Sequence, residues 1–427
     1  MATNQQSSMV SDVAGIDFGT SNSSIGHVAN GEARLIDIGD EGQSVPSAIF
    51  YSHETPDTAF GRAAIAEYTK GVDGRLLRSL KSVLGTSLMN EKTVIRNRRV
   101  SFSSIIEDYF RFLKAHLDSQ TPTAVKHLVL GRPVHFVDDD LARDTAAQTQ
   151  LQAIANEAGF DHVEFQLEPV AAALNYEDTL KHEELVMIVD IGGGTADFSV
   201  IRLSPERHSL ADRTADVLGN MGVHIGGTDF DRLLSLQSVM PAFGYKTGVR
   251  NSERLLPGSV YFDLATWHRI PLLYTASTAR LVEQMHIDAE QKLKVSSLQR
   301  LIEQRLGHEL ARCVELAKIE LSGSDSADLM LKDHDMPLIE CVVTRDDIER
   351  AIDPAMEQLS RCVREGLQQA GVQATNIASV FYTGGSSSVP CLQLMFEALL
   401  PDSRHTRGDV FGSVGLGLTI DASRRFA

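Results

Sequence analysis

The sequence predicts an α/β protein made of two related halves that face each other across a cleft. Three observations predict it. A short apolar run that ends in Asp and a Gly-containing hairpin occurs twice, at Val13 to Gly19 and at Leu185 to Gly194. Apolar stripes at helical spacing separate the strand-like runs. No Gly/Ser-rich or Pro-rich stretch interrupts the 427 residues, and alternating strands and helices without a linker read as one α/β architecture.

In chain order, Val13-Ala14-Gly15-Ile16-Asp17-Phe18-Gly19 reads as a strand ending at a turn, and Ser23 to Val28 as a second strand. Asn30-Gly31 is a two-residue hairpin signal, because both residues tolerate positive φ. Ala33 to Ile38 completes a meander. Ile105, Ile106, Tyr109, Phe110, Leu113 and Leu117 mark a helix. Leu151, Ile154, Ala155 and Ala158 mark another that stops at Gly159. Leu185-Val186-Met187-Ile188-Val189-Asp190 reads as a buried strand, Ile191-Gly192-Gly193-Gly194-Thr195-Ala196-Asp197 as a second hairpin, and Phe198 to Leu203 as the returning strand. The stripe Ile302, Leu306, Leu310, Cys313, Ala317 and Leu321 predicts one long helix from about Leu298 to Leu321. Val380 to Pro390 reads as strand, Gly-rich turn and helix, with Ser388 as N-cap and Pro390 in the first turn.

The formal net charge of −17 disfavours nucleic acid or an anionic membrane as a partner. The one basic run, Arg96-Asn97-Arg98-Arg99, reads as a solvated strand or loop face. Cys313, Cys341, Cys362 and Cys391 show neither C-x-x-C pairing nor nearby His at metal spacing. They read as buried free thiols, as in a reducing cytoplasm. The first twelve residues carry no apolar signal region, and no apolar run approaches the roughly 20 residues of a membrane span.

A triphosphate needs backbone N–H groups at close range and a cation. Gly lets the backbone approach closely, and successive N–H groups make an anion-binding concavity. Gly192-Gly193-Gly194-Thr195 meets that demand, as does Gly19-Thr20-Ser21-Asn22 with fewer glycines. Mg²⁺ prefers oxygen ligands and retains waters. Asp17 and Asp190, one from each half, are therefore candidates to hold a hydrated Mg²⁺ on the phosphates. Thr383-Gly384-Gly385-Ser386 offers a turn against which a flat nucleoside can lie. Other nucleotide folds fit badly: no G-x-x-x-x-G-K-[ST] run exists, and no G-x-G-x-x-G follows a strand.

These residues resemble a known family, the nucleotide-binding domain of the DnaK-type heat-shock chaperones within the actin-like ATPase superfamily. The nearest resemblance is to the YegD-type branch. Gly15 to Ser23 resembles the first phosphate motif, Asp190 to Ser199 the second, and Thr383 to Pro390 the adenosine motif. Leu167-Glu168-Pro169-Val170-Ala171-Ala172-Ala173 resembles the connecting segment, Gly222 to Asp231 a further family stretch, and Ser79 to Gly85 the segment with the catalytic lysine. The resemblance runs in family order from residue 13 to about 418.

It implies a duplicated actin-like (ribonuclease H-like) fold with two lobes around a nucleotide cleft. Lobe I is expected over 1–185 plus 405–427, and lobe II over 186–404 with an insertion at about 232–280. It implies ATP and Mg²⁺ as ligands. Asp17 and Asp190 would hold the metal through water. Thr20, Ser21, Gly193, Gly194 and Thr195 would contact phosphates, near Gly227. Lys81 would neutralise the γ-phosphate and orient the attacking water, and Glu168 and Asp197 would complete the network. Glu315, Lys318 and Ser322 would meet ribose and base, beside Gly384, Gly385 and Ser386. Pro133 and Arg143 match a switch proline and its partner arginine.

Two departures follow from the same comparison. Ile319 and Ser388 stand where arginines flank the base, a loss on the order of 1 kcal/mol of cation–π stacking each. The chain also ends where the family's peptide-holding domain would begin, so no peptide-binding domain is expected. The insertion, which holds the single Trp267, reads as extra core or as a partner surface. The expected function is a cytoplasmic ATP-driven conformational switch, a weak ATPase (hydrolase) giving ADP and phosphate, with a protein co-chaperone or client as partner. A small-molecule kinase with Asp197 as base, a filament-forming protein and a nucleotide-binding scaffold are the alternatives.

Overall fold

The first apolar run becomes β1 (Val13–Phe18), followed by β2 (Asn22–Ala29) and β3 (Glu32–Leu35). Asn30 and Gly31 take φ of 55° and 82° between the last two, the pair of left-handed residues that matches the twist of a tight hairpin. The third strand stops at Leu35, short of Ile38, although Ile36 and Ile38 still enter the core. The structure is a computed structural model and describes residues 12–137, 140–207, 209–210, 212–334, 336–407 and 412–426. Most of the first twelve residues, on which the signal-region expectation falls, lies outside these residues.

A small subdomain follows: β4 (Val45–Pro46), β5 (Ala48–Ser52), β6 (Thr58–Phe60), α1 (Gly61–Thr69) and β7 (Gly74–Arg78), with sheet order β6-β5-β7. The hairpin β8 (Lys92–Ile95) and β9 (Arg98–Ser101) turns at Arg96 and Asn97, both at positive φ. Arg98 and Arg99 are exposed there, so the basic run is a solvated loop face. Then come α2 (Phe102–Gln120), β10 (His127–Arg132), α3 (Leu141–Glu157), β11 (His162–Leu167) and α4 (Glu168–Glu177). Gly159 at φ 107° ends α3 as expected.

The second lobe repeats the plan. It comprises β12 (Glu184–Ile191), β13 (Ala196–Leu203), β14 (Val217–Val223), α5 (Gly227–Leu234), α6 (Ser259–Leu264), α7 (Ala276–Asp288), α8 (Lys292–Glu303), α9 (Gly307–Leu321), β15 (Ser326–Asp333), β16 (Met336–Thr344), α10 (Arg345–Gln369), β17 (Ile377–Thr383), α11 (Pro390–Leu399) and β18 (Arg404–Arg407). The main sheets run β11-β10-β1-β2-β3 and β14-β13-β12-β17-β18. In each, three antiparallel strands are followed by two parallel ones in the same order. That equivalence is the duplication that the two Asp-Gly runs announce. By strand pairing the second sheet extends from residue 184 to 407, slightly beyond the expected 186–404.

Each lobe has its own apolar core. Between them lie α4 and α12 (Ser413–Phe426). Val170, Ala173 and Leu174 of α4 pack on the second sheet, and Val414, Leu418 and Ala422 of α12 on the first. The two helices cross closely: a Cβ at Gly417 would lie 1.9 Å from the Ala171 carbonyl oxygen.

The single helix expected over 298–321 is two helices. Arg305 takes φ 55° and breaks the path between α8 and α9. The break seats Gly307 against Tyr274, whose hydroxyl accepts from Gly307 N at 3.2 Å, and a Cβ there would lie 2.7 Å from Ile270. The apolar stripe continues across the break, which is why periodicity alone passes over it. The 232–280 segment contributes buried Val260, Tyr261, Leu264, Ile270 and Leu273 to the core. Its Trp267 makes a contact between lobes. The His308 ring lies 4.7 Å from Trp267 and 4.8 Å from Tyr68 of α1, both edge-on, and Arg78 of β7 sits 5.0 Å over Trp267. The four cysteines are free but only half-buried. Among the described residues no helix is long and apolar enough to cross a membrane.

Candidate functional site

The turn from β1 to β2, Gly19-Thr20-Ser21-Asn22, is gripped by Ser47. The Ser47 hydroxyl donates to Gly19 O at 2.7 Å and its amide to Ser21 O at 2.8 Å. A Cβ at Gly19 would collide with Asn22 O at 2.2 Å. Nothing in the sequence around Ser47 signals this role.

The turn from β12 to β13 is closed by Gly192 N donating to Thr195 O at 2.9 Å. Its carbonyls are held from outside. Gly192 O accepts from Gly227 N at 2.9 Å and from the Ser386 hydroxyl at 3.0 Å, and Gly193 O accepts from both the amide and hydroxyl of Thr228 at 2.7 Å. Gly194 has open space where a Cβ would stand, whereas a Cβ at Gly193 would lie 2.2 Å from Ser21 Oγ. The two hairpins therefore meet across the cleft, one from each lobe.

Beneath them the charged groups converge. Asp17 lies near the end of β1. Asp190 lies near the end of β12, directly across the ladder from Asp197, a like-charged pairing that is unfavourable by itself. Lys81, from the turn after β7, donates to Glu168 Oε1 at the start of α4, and both side chains are largely buried. Burial, and then the Glu168 charge, push Asp17 up to about 7 against the pull of Lys81. Burial, followed by Asp197, Glu168 and Asp17, pushes Asp190 up to about 8. Burial opposes the Lys81 charge, yet Glu168, Asp17 and Asp190 outweigh it and raise its pKa. Three carboxylates, Glu168, Asp17 and Asp190, thus surround one lysine, with Asp197 beside Asp190, a donor set that lacks positive charge. Among the described residues no three donor groups converge closely enough to hold a bare metal ion. A cation that keeps its own water suits this arrangement.

To one side, α9 presents Glu315, Lys318 and Ser322 along one face. Lys318 Nζ lies 2.8 Å from Asp231 Oδ1 and donates to Gly227 O at 3.3 Å. Burial raises Asp231 to about 6, and Lys318 opposes it. Asp231 closes the Gly222–Asp231 stretch, a signal that points to it without revealing its lysine partner. A shallow groove too narrow to hold a water molecule lies next to Lys318 and Ser322 and is lined also by Arg345 and Glu349. No sequence pattern singles out those last two. Ile319 is 58% exposed. Gly384 takes φ 75°, and a Cβ there would lie 2.4 Å from Asp190 Oδ1, so the Gly384-Gly385-Ser386 turn abuts the carboxylate cluster.

Two expectations need correction. Ser388 does not cap α11; it ends the short 3₁₀ turn Gly385–Ser388, and Val389 is the N-cap, because Pro390 begins the helix directly after it. Arg143 donates to Gly85 O at 2.8 Å rather than to Pro133, whose carbonyl accepts from Arg132 at 3.0 Å. Glu315 on α9 is exposed, and its nearby charges are Arg78 and Asp231.

The family model described as Hsp70 protein matches residues 101–255 and 279–413. The unmatched interval between them carries α6 and Trp267. The chain is 24% identical over 421 residues to the chaperone protein DnaK of Mycoplasmopsis agalactiae, covering 96% of this chain and 58% of that protein. It is 24% identical over 395 residues to the chaperone protein DnaK of Ureaplasma urealyticum, covering 91% of this chain and 54% of that protein. The chain thus spans somewhat over half the length of these relatives. Matching sheets, opposed hairpins and a family model covering most of its length lead to one conclusion: this chain belongs to the Hsp70 family.

Proposed function

We propose that the protein binds Mg²⁺-ATP between its lobes and hydrolyses it slowly, as the conformational switch of a chaperone or regulatory module. The observation that carries the reading is the meeting of Asp17 and Asp190 with Lys81 and Glu168 beneath two touching hairpins. These groups come from opposite halves of the chain and have too little positive charge among themselves.

In this reading Thr20, Ser21, Gly193, Gly194 and Thr195 offer backbone and hydroxyl donors to the phosphates. Asp17 and Asp190 hold the metal through its waters, and the metal supplies charge neutralisation when bound. Lys81, pinned by Glu168, is placed to offset charge on the terminal phosphate and orient water, while Asp197 accepts from that water. Phosphoryl transfer asks mainly for positioning and electrostatic stabilisation, which these residue types supply. Lys318 and Ser322 face the nucleoside. Closure of the lobes is the output, read by a protein co-chaperone or client.

The test is ATP affinity and single-turnover hydrolysis with and without Mg²⁺. Asp17→Ala and Asp190→Ala are expected to lose the metal-dependent part of binding. Lys81→Ala is expected to bind ATP and to turn over roughly a hundredfold more slowly. Equal Mg²⁺-ATP affinity in both aspartate variants would overturn the reading.

A further inference from the structure

The formal net charge of the chain is −17, yet one surface of the second lobe carries the opposite sign. Residues 244–256 and 291–300 together hold six Lys and Arg against a single acidic residue, Glu253. Arg300 pairs with Asp333. Lys246, Arg250, Arg254, Lys292 and Lys294 have no ion-pair partner among the described residues. The backbone holds the two stretches side by side. Lys246 and Asn251 take φ of 61° and 56°, and 244–256 folds back on itself, with Val249 N donating to Arg254 O at 2.8 Å and Leu256 N to Thr247 O at 2.9 Å. That loop is tied to the approach to α8. Arg250 N donates to Asp288 O at 2.8 Å, Glu290 N donates to Gly248 O at 3.1 Å, and Gly244 sits against Val295 of α8. The carboxylates at this seam are engaged. That of Asp288 accepts from Gln284 at 2.9 Å, and that of Glu290 lies against Gly248, 2.6 Å from where a Cβ would stand.

Three large apolar side chains stand exposed among the cations. Leu293, between Lys292 and Lys294, is 87% exposed; Leu255, next to Arg254, is 60% exposed; Phe262 of α6, edge-on to Tyr245 at 5.9 Å, is 46% exposed. A single exposed apolar residue is ordinary, whereas three set among unpaired cations on a tied loop form a patch of the mixed kind that meets a partner. We propose that this surface docks an acidic segment of a partner protein that also carries leucine-like side chains, its carboxylates on the free cations and its apolar groups on Leu255, Phe262 and Leu293. The sequence reads the insertion as extra core or as a partner surface, and α6 supplies both, with Tyr261 buried and Phe262 exposed. Charge decides the class of partner. At physiological salt a charge is screened within roughly 8 Å, so a short segment meets the local cations alone. An anionic membrane or a nucleic acid duplex extends past them onto a chain whose remainder is strongly acidic. None of these groups belongs to the hairpins or the carboxylate cluster, so the inference stands apart from the nucleotide reading.

The experiment is fluorescence anisotropy of the full chain, without nucleotide, against a labelled probe peptide of about 20 residues made of Glu and Leu, with Leu at helical spacing. Two control peptides replace every Glu by Gln or every Leu by Ser. The chain is expected to bind the acidic leucine peptide roughly tenfold or more tightly than either control, and less tightly as salt rises. Arg250→Glu and Lys294→Glu, one from each stretch, are each expected to weaken binding about two- to fivefold, and Leu293→Ser roughly tenfold. Lys181→Glu makes the same charge change at the turn before β12 and is expected to leave binding unchanged. The comparison among peptides is made on the wild type and holds whether or not a variant folds. No binding of the acidic peptide, equal binding of the Gln control, or an equal loss in Lys181→Glu overturns the proposal. So does tighter binding of phosphatidylserine vesicles or of duplex DNA at the same salt.

Discussion

At the scale of single residues, the site depends on backbone that only glycine fits. Gly384 combines φ 75° with contact on Asp190, so a methyl group would add strain and press on a carboxylate the cluster needs in place. Gly384→Ala is expected to destabilise the protein by about 1–3 kcal/mol and to weaken nucleotide binding alongside. Urea denaturation and ATP titration of the same sample check both. A stable variant with full affinity would show that the turn can move away. Lys81 teaches the converse. Composition marks it as one lysine among many, and its place depends on Glu168, distant in sequence, which the fold sets beside it.

At the scale of elements, a buried ionic cluster anchors α4 to the second lobe. Arg213 is fully buried, donates to both Glu177 oxygens at 2.8 and 2.9 Å, and also pairs with Asp216. Glu177 in addition accepts from Ser204 N at 3.0 Å. Removing one partner leaves the other charge buried and unbalanced, so Glu177→Gln is expected to cost about 3–5 kcal/mol in urea unfolding. A loss below about 1 kcal/mol would mean that water or Asp216 compensates. The cluster was not legible in the sequence, since Glu177 and Arg213 carry no motif. By contrast, both Asp-Gly hairpins, the Asn30-Gly31 turn and the α3 stop at Gly159 were legible, because their backbone demands Gly or Asn locally. The split between α8 and α9 was not, because Arg305 has a left-handed backbone that its residue type does not advertise.

At the scale of the whole molecule, contacts across the cleft include the opposed hairpins and the meeting of Trp267 and His308 with Tyr68 and Arg78. Burial, and then Arg78, hold His308 down at about 4, although its bond to the Trp267 backbone pulls the other way. Once released, His308 titrates near its ordinary value of about 6.5. Between these values the open form binds the extra proton, so the contact is full above about 6.5 and is lost as pH falls towards 4. Bound nucleotide is expected to leave several-fold faster at pH 5 than at pH 7, with a change in emission from the single Trp267. His308→Gln is expected to flatten that dependence, and stopped-flow release at both pH values checks it. Identical rates in the wild type would separate this contact from closure.

The sequence by itself determined the two halves, the hairpins and the family, because each rests on local backbone chemistry repeated in order. It also supplied Asp17 and Asp190 as candidates, from the company they keep with glycine. Only the tertiary structure decided which charges share one space: Lys81 with Glu168, and Lys318 with Asp231. Strand and turn preferences are set by neighbours a few residues away, whereas the charge felt by a buried group is set by whatever the fold brings within a few ångströms. That information is spread over the whole chain and has no local signature.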